Sequence, residues 1–414
     1  MSASLEQAVA AHVPDNLSGP LGIAVSGGGD SMALLLLLQS VMAKRGVPLQ
    51  VATVDHRLRK ASAEEAAKVA DFCNARGVPH DTLEWKDWDG TGNMQDAARR
   101  ARYGLLTTWA QACGIKHVAL GHTQDDQAET VVMRLARGAG VDGLSAMAAS
   151  RDHNGIRWLR PMLGVSRESL RDYLNAEGVT WLDDPSNQDT QFDRVRAREA
   201  LSVLQDLGVD AAALSTVAQN LRLARAALDA QTQEAARTLV HEHAGALRVN
   251  ISGYQSLPEE IARRLLVACI QWTNGAVYAP RGQSLEHARK ALRNNGSATL
   301  DGCHMRRHRD ALWIFREYNA VKDHETPTDA LWDGRWRARG SHEARLRLRP
   351  LGEDGLSLRR DWRDSALPRD VLLVTPAIWQ RETLVAAPVL DEPCMWKLNV
   401  ERSALAELVL QGLH

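Results

Sequence analysis

Val25-Ser26-Gly27-Gly28-Gly29-Asp30-Ser31 lies between an apolar run, Leu21 to Val25, and a helical run, Met32 to Leu38. A strand, a glycine turn and a helix start are compressed into this span. Consecutive glycines remove every Cβ from the turn, so its backbone can press against a ligand and aim N–H groups at it. Ser26 and Ser31 add hydroxyl donors, and the helix N-terminus adds partial positive charge. The combination suits a phosphate chain. It is not a Walker A loop, because Asp30-Ser31 stands where Lys and Ser or Thr are needed. Nor does it have the GxGxxG spacing of a dinucleotide fingerprint. Asp30 beside such a nest points to a Mg²⁺ shared with phosphate oxygens. The simpler alternative is a βα turn in which Asp30 caps the helix.

The chain has 414 residues, enough for two or three domains with ample core. Its 44% apolar and 24% charged residues are those of an ordinary globular protein. A net charge of −1 decides nothing about nucleic acid, so local distribution must. Cys73, Cys113, Cys269, Cys303 and Cys394 form no CxxC pair, which argues against a zinc ribbon or iron–sulfur site and for reduced thiols in a cytoplasm. Residues 1–20 lack a signal-peptide pattern, and the longest apolar run is too short to span a bilayer.

Outward from the loop, strand and helix alternate. Strands are expected at Leu21–Val25, Leu49–Val54, Pro79–Trp85 and Lys116–Leu120. Helices are expected at Asp30–Arg45, Ala63–Arg76, Asn93–Cys113 and Asp125–Arg137. This predicts an α/β fold, a doubly wound, mostly parallel sheet with helices on both faces. Ligands of such sheets bind at the carboxyl ends of the strands. Those ends are Ser26–Ser31, Asp55-His56 and Gly121–Asp126. Asp55 and His56 can face a nucleotide base or ribose, or simply start a loop. In Gly121-His122-Thr123-Gln124-Asp125-Asp126-Gln127-Ala128-Glu129, at least two carboxylates share a helix face. They suit a metal or a cationic substrate group, or they complement the helix dipole.

Basic residues surround this core: Arg99, Arg100 and Arg102 on one helix, Arg134 and Arg137 at the end of the next, then Arg160 and Arg167. Asp184-Pro185-Ser186-Asn187 precedes the alternating Arg194, Arg196 and Arg198, which suit a phosphate backbone or a triphosphate, or form a solvated helix face. From Asp206 the character changes. Helices are expected at Ala211–Arg237, Pro258–Trp272 and Ser284–Arg293, followed by strands at Ala298–Leu300, His304–His308 and Ala311–Phe315. Residues 318–330 read as a linker. A last unit, 331–414, carries expected strands at Ala344–Leu348, Val371–Val374 and Leu384–Pro388. Its nine arginines between Arg335 and Arg363, interleaved with Trp336 and Trp362, suit RNA. Arg345, Arg347 and Arg349 would share one strand face, where charge also blunts an edge. The expected domains are 1–205, 206–325 (mostly helical) and 331–414 (small, α+β).

Taken together these residues resemble the PP-loop (N-type) ATP pyrophosphatases, with their adenine nucleotide alpha hydrolase-like fold, and among them the tRNA(Ile)-lysidine synthetase family. The match covers residues 21–198. It rests on Ser26–Ser31, on Val54-Asp55-His56 with Leu58-Arg59, and on Asn93, Gln95, Ala98, Arg99, Arg102 and Tyr103. It continues through Gly121-His122, Asp125-Asp126, Glu129-Thr130, Arg134-Leu135, Arg137-Gly138, Arg160-Pro161, Asp184–Asn187 and Arg194, Arg196 and Arg198. Arg57 stands where the family usually has Gly, and Val195 and Ala197 where Asn and Ile are common. Arg347–Glu353 and Leu384–Ala386 resemble the family's C-terminal domain loosely.

The resemblance implies a cytoplasmic ligase that joins lysine to C2 of the wobble cytidine in a CAU-anticodon isoleucine tRNA, shifting codon reading from AUG to AUA. ATP adenylates the C2 oxygen and pyrophosphate leaves; the ε-amine of free L-lysine then displaces AMP. It implies ATP binding by Ser26, Gly27, Gly28, Gly29, Asp30, Ser31, Asp55 and His56, with Mg²⁺ at Asp30. Asp125, Asp126 and Glu129 would orient lysine, His122 would shuttle a proton, and Asp30, His122, Asp125 and Asp126 would be catalytic. Arg99, Arg102, Arg134, Arg137, Arg194, Arg196 and Arg198 would face tRNA. A homodimer is compatible, and no membrane is involved. Thiolation of tRNA on the same loop is the competing enzyme reading, and an ATP-responsive RNA-binding protein the non-enzymatic one. The thiolating relatives usually carry CxxC pairs or a late catalytic cysteine. Glutamine-fed relatives would need an amidotransferase domain, and no such domain is expected before residue 21.

Overall fold

A computed structural model describes residues 2–57, 62–86, 88, 92, 94–182, 193–391 and 393–410, without the side chains of 95, 360, 361 and 410. Leu58, Arg59, Asn93, the Gln95 side chain and Asp184–Asn187 therefore lie outside the described residues. The chain divides into Met1–Arg225 and Ala226–His414.

The first unit runs α1 (Ser2–Ala10), β1 (Leu21–Ala24), α2 (Gly29–Arg45), β2 (Leu49–Asp55), α3 (Ser62–Ala75), β3 (His80–Glu84), α4 (Met94–Ala112) and β4 (His117–Leu120). It continues with α5 (Gln124–Leu135), α6 (Val141–Leu144), β5 (Ser150–His153), β6 (Ile156–Leu159), α7 (Arg167–Ala176), α8 (Asp193–Gln205) and the first half of α9 (Ala211–Leu239). The sheet order is β3-β2-β1-β4-β6-β5. Neighbours from β3 to β6 are parallel, and β5 pairs antiparallel with β6 at the edge. This is the expected doubly wound, mostly parallel sheet. The chain moves one way from β1 to β3 and then returns to the other side of β1 as β4. That reversal leaves a crevice at the carboxyl ends of β1 and β4, where ligands of such sheets bind.

α2 explains the uninterrupted apolar run after the glycines. Leu34, Leu35, Leu37 and Leu38 are fully buried, and the helix is enclosed by α1, α7 and the sheet. A helix apolar all round needs such cover. Gly46, in the left-handed region at φ 66°, ends it.

The second unit has its own core. β7 (Val240–His243), β8 (Ala246–Asn250), β9 (Ser297–Leu300), β10 (Cys303–His308) and β11 (Ala311–Arg316) form an antiparallel sheet of order β7-β8-β11-β10-β9. α11 (Glu259–Asn274) packs on it, with α10 (Ile251–Ser256) and α12 (Gly282–Arg293) alongside. The C-terminal helix Leu405–Leu410 returns to this core through Leu405 and Val409.

Four expectations in this half change. Val371–Val374 is not a strand: Arg369–Leu373 is a helix, started after Pro368. The strand expected from Ala344 begins at Arg347. Arg347 and Arg349 therefore share a face, and Arg345 lies outside it, paired with Glu343. The expected linker contains helix Tyr318–Val321 and the strand Thr326–Pro327, which pairs with Arg347–Pro350. Of the Arg-rich run, Arg335, Arg337, Arg347, Arg349 and Arg359 also face carboxylates.

Candidate nucleotide and substrate site

The glycine loop follows β1 and is tightened by its serines. Ser31 Oγ donates to Gly28 O at 2.8 Å and accepts the Ser26 N–H at 3.2 Å, and the two hydroxyls lie 3.3 Å apart. Gly27 sits at φ 85°, and a Cβ there would stand 2.7 Å from Leu182 Cδ1. Gly29 lies against the Trp181 ring. Gly28 is the N-cap of α2 and gives no side-chain cap, so the first N–H groups of the helix stay available to a ligand. Asp30 does not cap the helix; it is in the first turn, at the crevice.

Gly121 brings the second segment against the first. A Cβ on Gly121 would lie 3.1 Å from Ser31 Cα and 3.2 Å from Ser31 N. Absence of that atom lets the end of β4 abut the start of α2. α5 then begins with a capping box: Asp126 Oδ2 accepts the Thr123 N–H and hydroxyl, both at 2.9 Å, and Thr123 Oγ1 accepts the Asp126 N–H at 3.4 Å. Asp125 Oδ2 accepts the backbone N–H of Arg167 at 2.7 Å, and Val165 O accepts that of Gln124 at 2.9 Å. The start of α7 is thereby clipped to the start of α5.

Arg167 is the residue that sequence reasoning left among the surrounding basic groups. Its Nε donates to Asp30 Oδ2 at 3.2 Å, Nη2 lies 3.6 Å from Asp126 Oδ1, and Nη1 3.5 Å from Glu129 Oε1. Burial opposes the Arg167 cation, but the carboxylates of Asp30, Asp126, Glu129 and Asp125 outweigh it and hold its pKa above the ordinary arginine value. Burial pushes the Asp30 carboxyl above its usual range, with Arg167 pulling the other way. For Asp126 burial also raises the pKa, but the Thr123 N–H and the Arg167 charge prevail and lower it.

Glu129 is 1% exposed; its Oε1 accepts from Arg198 Nε at 2.6 Å, and its buried Oε2 has no partner among the described residues. Asp125, Glu129, Arg167 and Arg198 line a pocket of about 190 Å³ with Leu201 and Gln205. That volume is below the range of drug-sized sites and suits a small metabolite. The carboxylates of Asp125 and Glu129 among its lining residues suit a cationic group.

His122, predicted as a proton shuttle, is buried, and burial lowers its pKa to about 3 despite Asp126. It is a neutral imidazole at physiological pH and a weak base. Its buried Nδ1 has no partner among the described residues. Asp55, at the end of β2, accepts the Arg57 N–H at 2.8 Å and the Ser62 hydroxyl at 2.6 Å through Oδ1. His56 packs edge-on to Trp85 at 5.7 Å, and burial lowers its pKa.

The predicted tRNA arginines separate into groups. Arg99 and Arg102 lie over the Tyr103 ring at 5.2 and 5.6 Å. Arg134 Nη1 donates to the carbonyls of Gly143 and Ala146 at 2.6 and 3.1 Å and so shapes the loop after α5. Arg137 pairs with Asp193 at 2.8 Å on the surface, and Arg196 pairs with the same carboxylate. The triplet is helical, not extended, so its members diverge: Arg194, 3.8 Å from Asp126, and Arg198 face the carboxylate cluster while Arg196 does not.

Among the described residues no group of three or more His, Cys, Asp and Glu side chains could cage a metal. Mg²⁺ needs less: one or two carboxylates with substrate phosphates. Asp30, a hard oxygen donor at the glycine loop, fits that mode. Among the described residues no helix is long and apolar enough to cross a membrane.

Residues 1–205 match the PP-loop domain family. The chain is 48% identical over 381 residues to a tRNA(Ile)-lysidine synthase of Ruegeria pomeroyi, covering 92% of this chain and 91% of that one. It is 36% identical over 345 residues to the tRNA(Ile)-lysidine synthase of a Wolbachia from Brugia malayi, covering 80% of each. Among solved structures it is similar to the U34-tRNA thiolase NcsA of Methanococcus maripaludis, at 14% identity and a TM-score of 0.47, over 53% of this chain and 77% of that one.

Proposed function

Because the chain belongs to the tRNA(Ile)-lysidine synthase family, we propose that it ligates free L-lysine to C2 of the wobble cytidine in the CAU anticodon of tRNA(Ile), using ATP. The cytosine O2 attacks the α-phosphorus, the α–β bond breaks and pyrophosphate leaves. The lysine ε-amine, having lost a proton, then attacks C2, and AMP departs with the former O2. Adenylation converts an oxygen that cannot leave into a good leaving group.

The observation that carries this reading is the juxtaposition of two unlike sites at one crevice. The glycine loop offers backbone N–H groups without a Walker lysine, as suits release of pyrophosphate. Beside it, a pocket lined by Asp125 and Glu129 offers carboxylates to an ammonium. Ser26–Ser31 would hold the phosphates. Asp30 would hold a Mg²⁺, which when bound neutralises charge growing on them. Asp125 and Glu129 would orient lysine with Asp126, whose outward oxygen faces Arg167. His122 would hydrogen-bond the reacting groups as a neutral imidazole. Arg194 and Arg198 are the arginines best placed to bring a tRNA phosphate or base to the crevice, with Arg99 and Arg102 beyond them. The division into 1–205, 206–325 and 331–414, tRNA-body recognition by the later parts, a homodimer and a cytoplasmic location belong to the same proposal; free thiols at all five cysteines support the last.

Incubation with ATP, Mg²⁺, labelled lysine and tRNA transcripts tests it. Label is expected in the CAU-anticodon isoleucine species only, with AMP and pyrophosphate formed. Its absence there, with turnover dependent on a sulfur donor instead, would assign thiolation.

A further inference from the structure

We propose that Arg167 is a positioning residue that links the ATP loop to the lysine pocket, by acting as an internal cation that the two substrates displace in concert. The inference rests on the reading of Glu129 and its neighbours as the lysine site.

One guanidinium spans both sites. Its Nε is hydrogen-bonded to Asp30 of the glycine loop, and Nη1 and Nη2 lie 3.5 and 3.6 Å from Glu129 and Asp126. Its backbone N–H is fixed on Asp125 at 2.7 Å, so the base of the side chain is anchored while the head is shared. It also lines the pocket that the lysine ammonium would enter. A second cation entering this pocket meets Arg167 in its lining, and like charges at such separations repel strongly where water is scarce.

Arg167 stands in the first turn of α7, behind the Ser166 cap. A cation there opposes the helix dipole, so local helix stability does not account for it; the carboxylates facing it do. Nucleotide binding alters that balance. A Mg²⁺ held by Asp30 would take one of the partners of Arg167, and bound phosphates would add negative charge beside the loop. A planar five-donor fork turns readily toward phosphate oxygens. Asp126 and Glu129, the latter still bonded to Arg198 at 2.6 Å, then lose the Arg167 charge and present more negative potential to the lysine ammonium. The binding order follows: ATP first, lysine tightly only afterwards. Premature occupation of the pocket by lysine is disfavoured while Arg167 holds it.

Equilibrium dialysis of labelled L-lysine against the full chain without tRNA tests this, with and without Mg²⁺ and α,β-methylene ATP. Wild type is expected to bind lysine at least about tenfold more tightly with the nucleotide analogue, within the usual range of coupling between two sites. Arg167→Gln is expected to lose the dependence and to bind lysine without nucleotide more tightly than wild type does. A merely structural role would instead weaken binding. Arg167→Lys keeps the charge but not the fork and should retain part of the dependence. The proposal is overturned if wild-type affinity changes less than twofold with nucleotide, if wild type binds no lysine with nucleotide present, or if Arg167→Gln keeps the wild-type ratio. Any of these outcomes, together with label still entering the CAU transcript, would leave the proposed function standing.

Discussion

Arg57 adopts φ 51°, a left-handed conformation in which glycine is at ease and an L side chain is strained. The resemblance puts Gly at this place, so the departure has a backbone consequence. Relief of roughly 1–2 kcal/mol in Arg57→Gly is offset by about 0.5–1 kcal/mol of glycine chain entropy and by loss of an exposed pair with Glu84. Urea unfolding should show unchanged or slightly raised stability, whereas Arg57→Val should lower it by more than about 1 kcal/mol. His122 carries a pH signature. Its pKa is depressed by burial to about 3 in the folded chain, against about 6.5 unfolded. The stability it supports is complete above about pH 6.5 and falls as the pH drops toward 3, by about 1.4 kcal/mol per pH unit. In His122→Asn the stability difference between pH 7 and pH 5 should shrink by up to about 2 kcal/mol, measured by denaturant midpoints. Asp30→Ala should abolish AMP formation and leave tRNA binding intact; loss of tRNA binding would argue against a purely catalytic Asp30. The glycine loop and the Asp125–Glu129 cluster stood out as candidates because each is a local pattern, a glycine turn between strand and helix and carboxylates crowded at a strand end. Arg167 did not, because its charge is matched by residues up to 137 positions away, although its place in a helix's first turn was a signal.

Elements position these residues through small side chains and caps. The end of β4 abuts the start of α2 because Gly121 has no Cβ. In Gly121→Ala the added atom, 3.1 Å from Ser31 Cα, must push backbone and not a flexible side-chain tip. We expect a folded enzyme whose KM for ATP rises about tenfold or more, while its lysine KM at saturating ATP changes less; steady-state kinetics at varied ATP check this. Thr123 and Asp126 form a capping box that the spacing allowed, yet the same Asp126 was also legible as a ligand group; the structure gives it both a cap oxygen and an outward oxygen. The β5–β6 hairpin was missed although Asn154-Gly155, both at positive φ, is a strong two-residue turn signal. Its strands have four residues each, too short for alternation to stand out. Val371–Val374 shows the reverse error: a short apolar run was read as a strand, and the helix start set by Pro368 prevailed.

At the scale of the molecule, the first compact unit extends to Arg225, and the first half of α9 is fastened to it. Arg222 Nη2 donates to Met147 O at 3.0 Å, and Arg225 Nε lies 3.4 Å from Asp142. Composition could mark a change near Asp206 but not which core a long helix would join. The second unit is closed by its own C-terminal helix, a return contact that sequence order conceals. Its arginines resembled an RNA surface in sequence, and carboxylates far along the chain were needed to show them paired. The organisation of the catalytic half was legible because strand–helix alternation is local, and the second half was less so because its sheet contacts are not. The central claim, that one crevice couples ATP to lysine on a tRNA base, is tested most directly by mass spectrometry of nuclease-digested CAU-anticodon tRNA(Ile) after incubation with the enzyme, ATP, Mg²⁺ and lysine. The account predicts a wobble cytidine heavier by one lysine less one water. An unchanged cytidine, or one with sulfur in place of oxygen, would contradict it.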